Sequence, residues 1–255
     1  MKIAVITAMH GEYQAVADCF TAVGVACSGE VASVRYSTAE HEYIIVAAGI
    51  GFDNAARAAE MLIREESPDL LISTGFCGGI DPELQVGDIV VAQRVVIADR
   101  RSLEEVPVLY SPVGRNFVAR QTVEGKRVVG GTFISSPAIT SKTELAGMLS
   151  DMYLNPVVEM ESSAIAIVAT ENDIPLLAIR VVSDSAAEEL GFSLDELCDS
   201  DLRRIRLYKV LLTVLRKPAI IPQLLRLAFN SRRAAASLTS ALSSLFPLFQ
   251  NHPRR

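Results

Sequence analysis

A chain of 255 residues, half of them hydrophobic and 21% charged, carries enough apolar material for one sizeable core and is unlike a disordered or fibrous sequence. Four cysteines without CxxC spacing and three dispersed histidines argue against a metal centre and read as reduced thiols. The net charge of −6 conceals an asymmetry: residues 202–255 hold 11 Lys/Arg and no Asp or Glu, leaving 13 Lys/Arg against 30 Asp/Glu in the rest. An acidic body is a poor nucleic-acid surface, because duplex affinity comes mostly from neutralising phosphates, so no nucleic-acid partner is expected.

In chain order, short Val/Ile-rich runs alternate with helical patterns, which predicts a largely buried sheet covered by helices. A strand over 2–7 leads to a helix over about 10–20. The runs 34–38 and 43–47 read as a hairpin, and 52–65 as a helix packing through Ala55, Ala58, Ala59 and Leu62. Strands follow at 69–73 and 88–97. The polar stretch 100–121 reads as a loop that covers a site. A strand at 127–133, a helix at 140–150, a strand at 156–160, a helix from 161 to 170 and a strand at 175–182 come next. A helix over 193–215 opens with Ser193 and Glu196, a capping-box spacing.

The opening apolar run has no basic leader, against an export signal. No stretch nears the ~18 consecutive apolar residues of a membrane span. A cytoplasmic location is therefore expected. The basic end mixes apolar runs with Lys/Arg alone, a composition that suits either packing on the body or a neighbouring subunit, or peripheral contact with an anionic membrane over 207–249.

In open α/β sheets, ligands gather where strands run out. Glu12, the glycines 49 and 51, the glycines 75, 78 and 79, Glu161 and Asp184 all stand at such places. Taken singly each has an ordinary reading. The glycines suit tight turns, Glu161 suits a helix N-terminus through the dipole, and Asp184 suits a turn. Three carboxylates, Arg180 and two glycine segments at successive strand ends are harder to assign to capping alone.

The stretches MKIAVITAMHGE (1–12), AAGIGFDNAA (47–56), PDLLISTGFCGGIDPELQVGDIVVA (68–92), VVEMESSAIA (157–166) and IRVVSD (179–184) resemble the purine nucleoside phosphorylase superfamily. The likeness is greatest to its methylthioadenosine/S-adenosylhomocysteine nucleosidase branch and covers residues 1–200. It implies a three-layer α/β/α fold around a mixed, partly barrel-like sheet, homodimers, and a purine nucleoside as small-molecule substrate, with no metal or organic cofactor. It divides the chain into a catalytic part, 1–205, and a basic apolar helical extension, 206–255.

By that resemblance Asp184 protonates purine N7, Glu12 activates the attacking water, and Arg180 helps hold it. Glu161 accepts hydrogen bonds from the ribose hydroxyls and Met160 packs on the sugar. Glu159, Phe76, Gly78 and Ser183 join the binding set, and the base lies near Ile139 and Thr140. Phe76 departs from the serine usual there, which puts the 5′ substituent in question. Phosphate remains the alternative nucleophile, with Arg57 and Arg94 as further cations, although Glu12 would repel it. The related hopanoid-associated phosphorylases suggest a lipid-linked nucleoside such as adenosylhopane. A non-catalytic nucleoside-binding module is the rival from another class, and it would not need both an acid and a base.

Overall fold

The computed structural model describes residues 1–21, 24–27, 32–99, 102–136, 141–149, 152–188 and 221–251. Strand β1 (Lys2–Thr7) lies at the centre of an 11-stranded mixed sheet, and its alternation sets the layers. Ala4 and Ile6 point into one apolar cluster while Ile3 and Val5 point into another, as the two-residue period of a strand requires. On the first side pack α2 (Phe52–Glu66) and α5 (Ser162–Glu171). On the second pack α1 (His10–Ala17), α3 (Pro112–Val118) and α6 (Ile221–Leu245). The three-layer α/β/α arrangement is thus written into the doubly buried strands.

The remaining strands are β2 (Val25–Cys27), β3 (Ser33–Ser37), β4 (Glu42–Ala47), β5 (Leu70–Gly79), β6 (Ile89–Asp99), β7 (Ser102–Glu105), β8 (Thr122–Val123), β9 (Lys126–Ser135), β10 (Val157–Glu159) and β11 (Leu176–Asp184); α4 spans Lys142–Met148. The path through the sheet runs β10-β9-β6-β11-β5-β1-β4-β3-β2. Strand β10 pairs in parallel with β9 and antiparallel with β5, so five strands close on themselves. The partly barrel-like sheet follows from that double pairing.

Two expectations change. The stretch 100–121 contains β7, paired antiparallel with β6, and α3, anchored by buried Val113 and Phe117; its prolines punctuate short elements instead of a long loop. The glycine-rich residues 74–79 are strand and not loop, because β11 and β10 pair with them on both sides. At the C-terminal end, α6 is one helix of 25 residues. Pro222 falls in its first turn, where a missing N–H costs no helical hydrogen bond. Ala234, Leu238, Ala241, Leu242 and Leu245, with Phe246 and Phe249 beyond them, are buried in the same cluster as β1 and β11. The described part of the extension therefore shares its core with the catalytic part. The helix expected over 193–215 lies outside the described residues.

Candidate active site

The site grows from the C-terminal ends of the strands around β5. Glu12 is at the third position of α1, directly after β1, and is 3% exposed. Its Oε2 accepts hydrogen bonds from the backbone N–H groups of Ala8 (2.9 Å) and Met9 (2.8 Å), and its Oε1 from Phe76 N–H (2.8 Å). A carboxylate offers about four lone-pair directions; three backbone donors leave one open. Gly75 makes this approach possible, since a Cβ there would lie 2.7 Å from Glu12 Cδ. Burial raises the Glu12 carboxyl above its ordinary value, against the lowering effects of Arg180 and the three N–H groups.

Glu161 immediately precedes α5. Its Oε1 accepts from Gly51 N–H (2.8 Å) and its Oε2 from Met160 N–H (3.3 Å). Desolvation first, then the charges of Glu159 and Glu12, push it up to about 7, against Arg180 and the Gly51 hydrogen bond. Met160 is half-buried beside it.

Arg180 is 2% exposed on β11. Its Nη2 donates to Ser73 Oγ (3.1 Å) and Glu159 Oε2 (3.0 Å) and lies 3.8 Å from Glu161 Oε2. The guanidinium also sits 5.9 Å from the centre of the Phe133 ring. One cation thus serves a buried group of three glutamates.

Glu159 requires a correction. Expected to contact substrate, it is turned inward: Ser135 Oγ donates to its Oε1, while Glu161 N–H (3.0 Å), Ser162 N–H (2.7 Å) and Arg180 donate to its Oε2. The open N–H groups at the start of α5 draw the carboxylate away from any ligand. It positions Arg180 and the helix.

Asp184 ends β11 opposite Gly78 of β5. Ser183 Oγ donates to its Oδ1 (2.7 Å) and lies 3.2 Å from Cys77 O. Lys142, the first residue of α4, reaches the other oxygen, Oδ2, in a partly buried ion pair. Sequence reasoning missed Lys142, because a lysine opening a short helix looks solvated and nothing local links it to a residue 42 positions away. Gly78 gives room for the pair: a Cβ there would come within 2.8 Å of Lys142 Cε and 2.9 Å of Asp184 Oδ2.

Phe76 contributes its backbone N–H to Glu12, while its ring packs on the apolar cluster that includes α6. Ile139 and Thr140 lie outside the described residues. Neither further arginine joins the group: Arg94 turns to Glu105 (3.9 Å) and Met152 O (3.4 Å), and Arg57 is on the exposed face of α2. The structure therefore gathers Glu12, Glu161, Arg180, Asp184, Met160, Phe76, Gly78 and Ser183 around the end of β5.

Strand-end carboxylates on a sheet of this topology define an α/β enzyme of the nucleoside phosphorylase and nucleosidase class. Residues 2–216 match the phosphorylase superfamily, and the chain belongs to that family. A 5′-methylthioadenosine/S-adenosylhomocysteine nucleosidase of Bacillus cereus (strain G9842) is 31% identical over 215 residues, 78% of this chain and 92% of that protein. One from Bacillus cytotoxicus is 30% identical over 220 residues, with the same coverage. Among solved structures, the Helicobacter pylori 5′-methylthioadenosine/S-adenosylhomocysteine nucleosidase in complex with a pyrrolidine-based ligand superposes with a TM-score of 0.74 at 15% identity, covering 97% of this chain and 98% of that one. The futalosine hydrolase of Helicobacter pylori gives 0.72 at 15%, with 97% of both chains covered.

Proposed function

We propose that the protein hydrolyses the N-glycosidic bond of a 5′-substituted adenosine and releases adenine. The observation that carries this reading is the placement of Glu12 against Gly75 and of Asp184 against Gly78, both in the C-terminal half of β5, and of Glu161 beside Arg180, with Glu12 buried and one lone-pair direction open. Asp184 serves N7, so that the base leaves as a neutral purine. Glu161 accepts from the sugar hydroxyls, and the negative charge of the glutamate group favours the oxocarbenium character gained at C1′. Glu12, raised by burial, takes a proton from the attacking water. Arg180 keeps the glutamates in place. Water is favoured over phosphate because a dianion would lie against Glu12 and Glu161, and the cation beside them is already engaged by Glu159 and Ser73.

The test is base release from 5′-methylthioadenosine, S-adenosylhomocysteine, adenosine and inosine, with and without phosphate, and Asp184→Asn as control. Adenine release that ignores phosphate and disappears in the variant supports the reading. Release that requires phosphate makes the protein a phosphorylase and the Glu12 role wrong. Tight adenine binding without any turnover leaves a binding module. Assembly as a homodimer in the cytoplasm belongs to the same proposal, and a light-scattering mass of two chains checks the first part.

A second reading concerns the 5′ substituent. Ile221, Leu225 and Phe229, spaced by four on the outer face of α6, are 42%, 67% and 62% exposed, with Arg226, Arg232 and Arg233 exposed beside them. The same helix borders the site, since Arg226 and Asn230 hold Glu188, which accepts from Ser185 N–H next to Asp184. An apolar stripe flanked by arginines fits an anionic bilayer interface. It suits an adenosine carried on a lipid, of the adenosylhopane kind. Sedimentation with phosphatidylglycerol vesicles, lost in Leu225→Ser/Phe229→Ser, supports this reading. No sedimentation, or a dimer that the same substitutions dissociate, removes it.

A further inference from the structure

We propose that Lys142 and Asp184 act as one proton-holding unit, in which the lysine ammonium supplies, through the aspartate, the proton that reaches the departing purine. The inference rests on the reading of Asp184 as the residue that serves N7.

Lys142 is 8% exposed. Its Nζ donates to Asp184 Oδ2, to Asp184 O (3.3 Å) and to Ser185 O (2.7 Å). Those three acceptors use every hydrogen of an ammonium. Removing such a cation from water costs several kcal/mol unless its pairing is close, and this pairing is. The Cε of Lys142 and Asp184 Oδ2 lie where a side chain at residue 78 would have to sit, so strand, helix and pair are fitted to one another. A lysine needed only to begin α4 has no cause to be drawn under β5.

The chemistry supplies a cause. A carboxylate that accepts a hydrogen bond from an ammonium has its nearest transferable proton on that nitrogen. An ammonium beside a carboxylate holds the same number of protons as an amine beside a carboxylic acid. The pair therefore always contains one that can be delivered.

As the C1′–N9 bond breaks, its electron pair passes to the purine. N7 takes a proton from Asp184, and Asp184 takes one from Lys142, which becomes a neutral amine. The water oxygen bonds to C1′ and one water proton goes to Glu12. Glu12 then releases that proton to solvent, and Lys142 regains one from solvent. The sum is one water consumed, one free base and one hydroxylated sugar.

The groups that face the pair are few. Ser183 holds Oδ1 and carries no charge. The Cys77 thiol on β5 feels both charges, but burial pushes it far up, beyond the range tested below. Glu188 stands behind Ser185 and pairs with Arg226 (3.5 Å). Among the described residues, Lys142 and Ser183 are the side chains that bond the Asp184 carboxylate.

The experiment measures kcat and KM for adenine release from pH 5 to 8 in the parent, Lys142→Met, Lys142→Arg and Asp184→Asn. Both lysine variants should lose kcat by about 100-fold at pH 7.5, the lower range for a lost proton donor. Lys142→Met should recover toward the parent as pH falls to 5, because without the ammonium the proton for the base must come from solvent. Lys142→Arg keeps charge and pairing but does not give up a proton, and should stay low throughout. Parental kcat in Lys142→Arg overturns the proposal, as does a Lys142→Met profile that is lowered without changing shape. Should Lys142→Met fail to fold, the arginine variant decides alone. Full activity in Asp184→Asn instead removes the reading of Asp184, whatever the lysine variants do.

Discussion

Carboxylates on the two sides of β5 are neutralised in different ways. Near Gly78, one aspartate has its own ammonium, with Lys142 and Asp184 paired one to one. Near Gly75, Glu12, Glu159 and Glu161 share the single guanidinium of Arg180. The first group is balanced and the second is anionic in a place that water hardly reaches. The difference suits opposite tasks: a balanced pair can pass a proton on, whereas crowded carboxylates hold protons more tightly and favour positive charge in a ligand. In each case a glycine of β5 provides the space, so one strand accommodates both.

The largest effect should come from removing the shared cation. Arg180→Met leaves the glutamates uncompensated and should cost about 3–5 kcal/mol, the range for breaking a buried ion pair. Urea unfolding measures it, and a loss below about 1 kcal/mol would show that the glutamates do not depend on Arg180. Next, Glu12→Gln should lower kcat by roughly 10²- to 10⁴-fold, as for a lost general base, while adenine affinity measured by calorimetry stays unchanged. Parental turnover would sink the assignment. Gly75→Ala should have a smaller effect: its methyl group meets the Glu12 carboxylate, and about 10-fold in kcat is expected from displacement of a positioned group. An unaffected rate would mean that the carboxylate has room to shift.

A last test separates the two groups by pH. Glu161 is raised from 4.5 to about 7 in the folded protein. The folded state then binds more protons, so this contribution is fully present below 4.5 and is lost as pH rises through 7. Glu161→Gln lacks that loss. Its melting temperature relative to the parent should climb between pH 4.5 and 7 and level off above. A flat difference across that range would show that Glu161 does not carry the excess charge.

Much of this was legible along the chain. Apolar residues fill 2–7, and doubly buried strands need no polar face, so β1 and its layers follow from composition and period. Glu12, Glu161 and Asp184 were visible because chemistry collects where strands end. The motif around Gly75–Gly79 was legible as part of the family likeness, but its strand conformation was not, since it depends on β10 and β11 pairing from both sides. Glu159 looked like a neighbour of Glu161 with the same task. The strand ends at Glu159, and the backbone turns into α5 at Glu161, so the two carboxylates part: Glu159 goes to the first N–H groups of the helix and to Arg180.

The residues by themselves determined the alternating layers, the strand-end carboxylates and the family, because each is expressed in local period or local motif. Only the tertiary structure decided which cation meets which carboxylate. Lys142 and Asp184 are 42 positions apart, and Arg180 and Glu159 are 21 apart. Such pairs are set by strand register and by where a helix comes to rest, and burial then makes each pairing consequential. No spacing along the chain encodes that meeting.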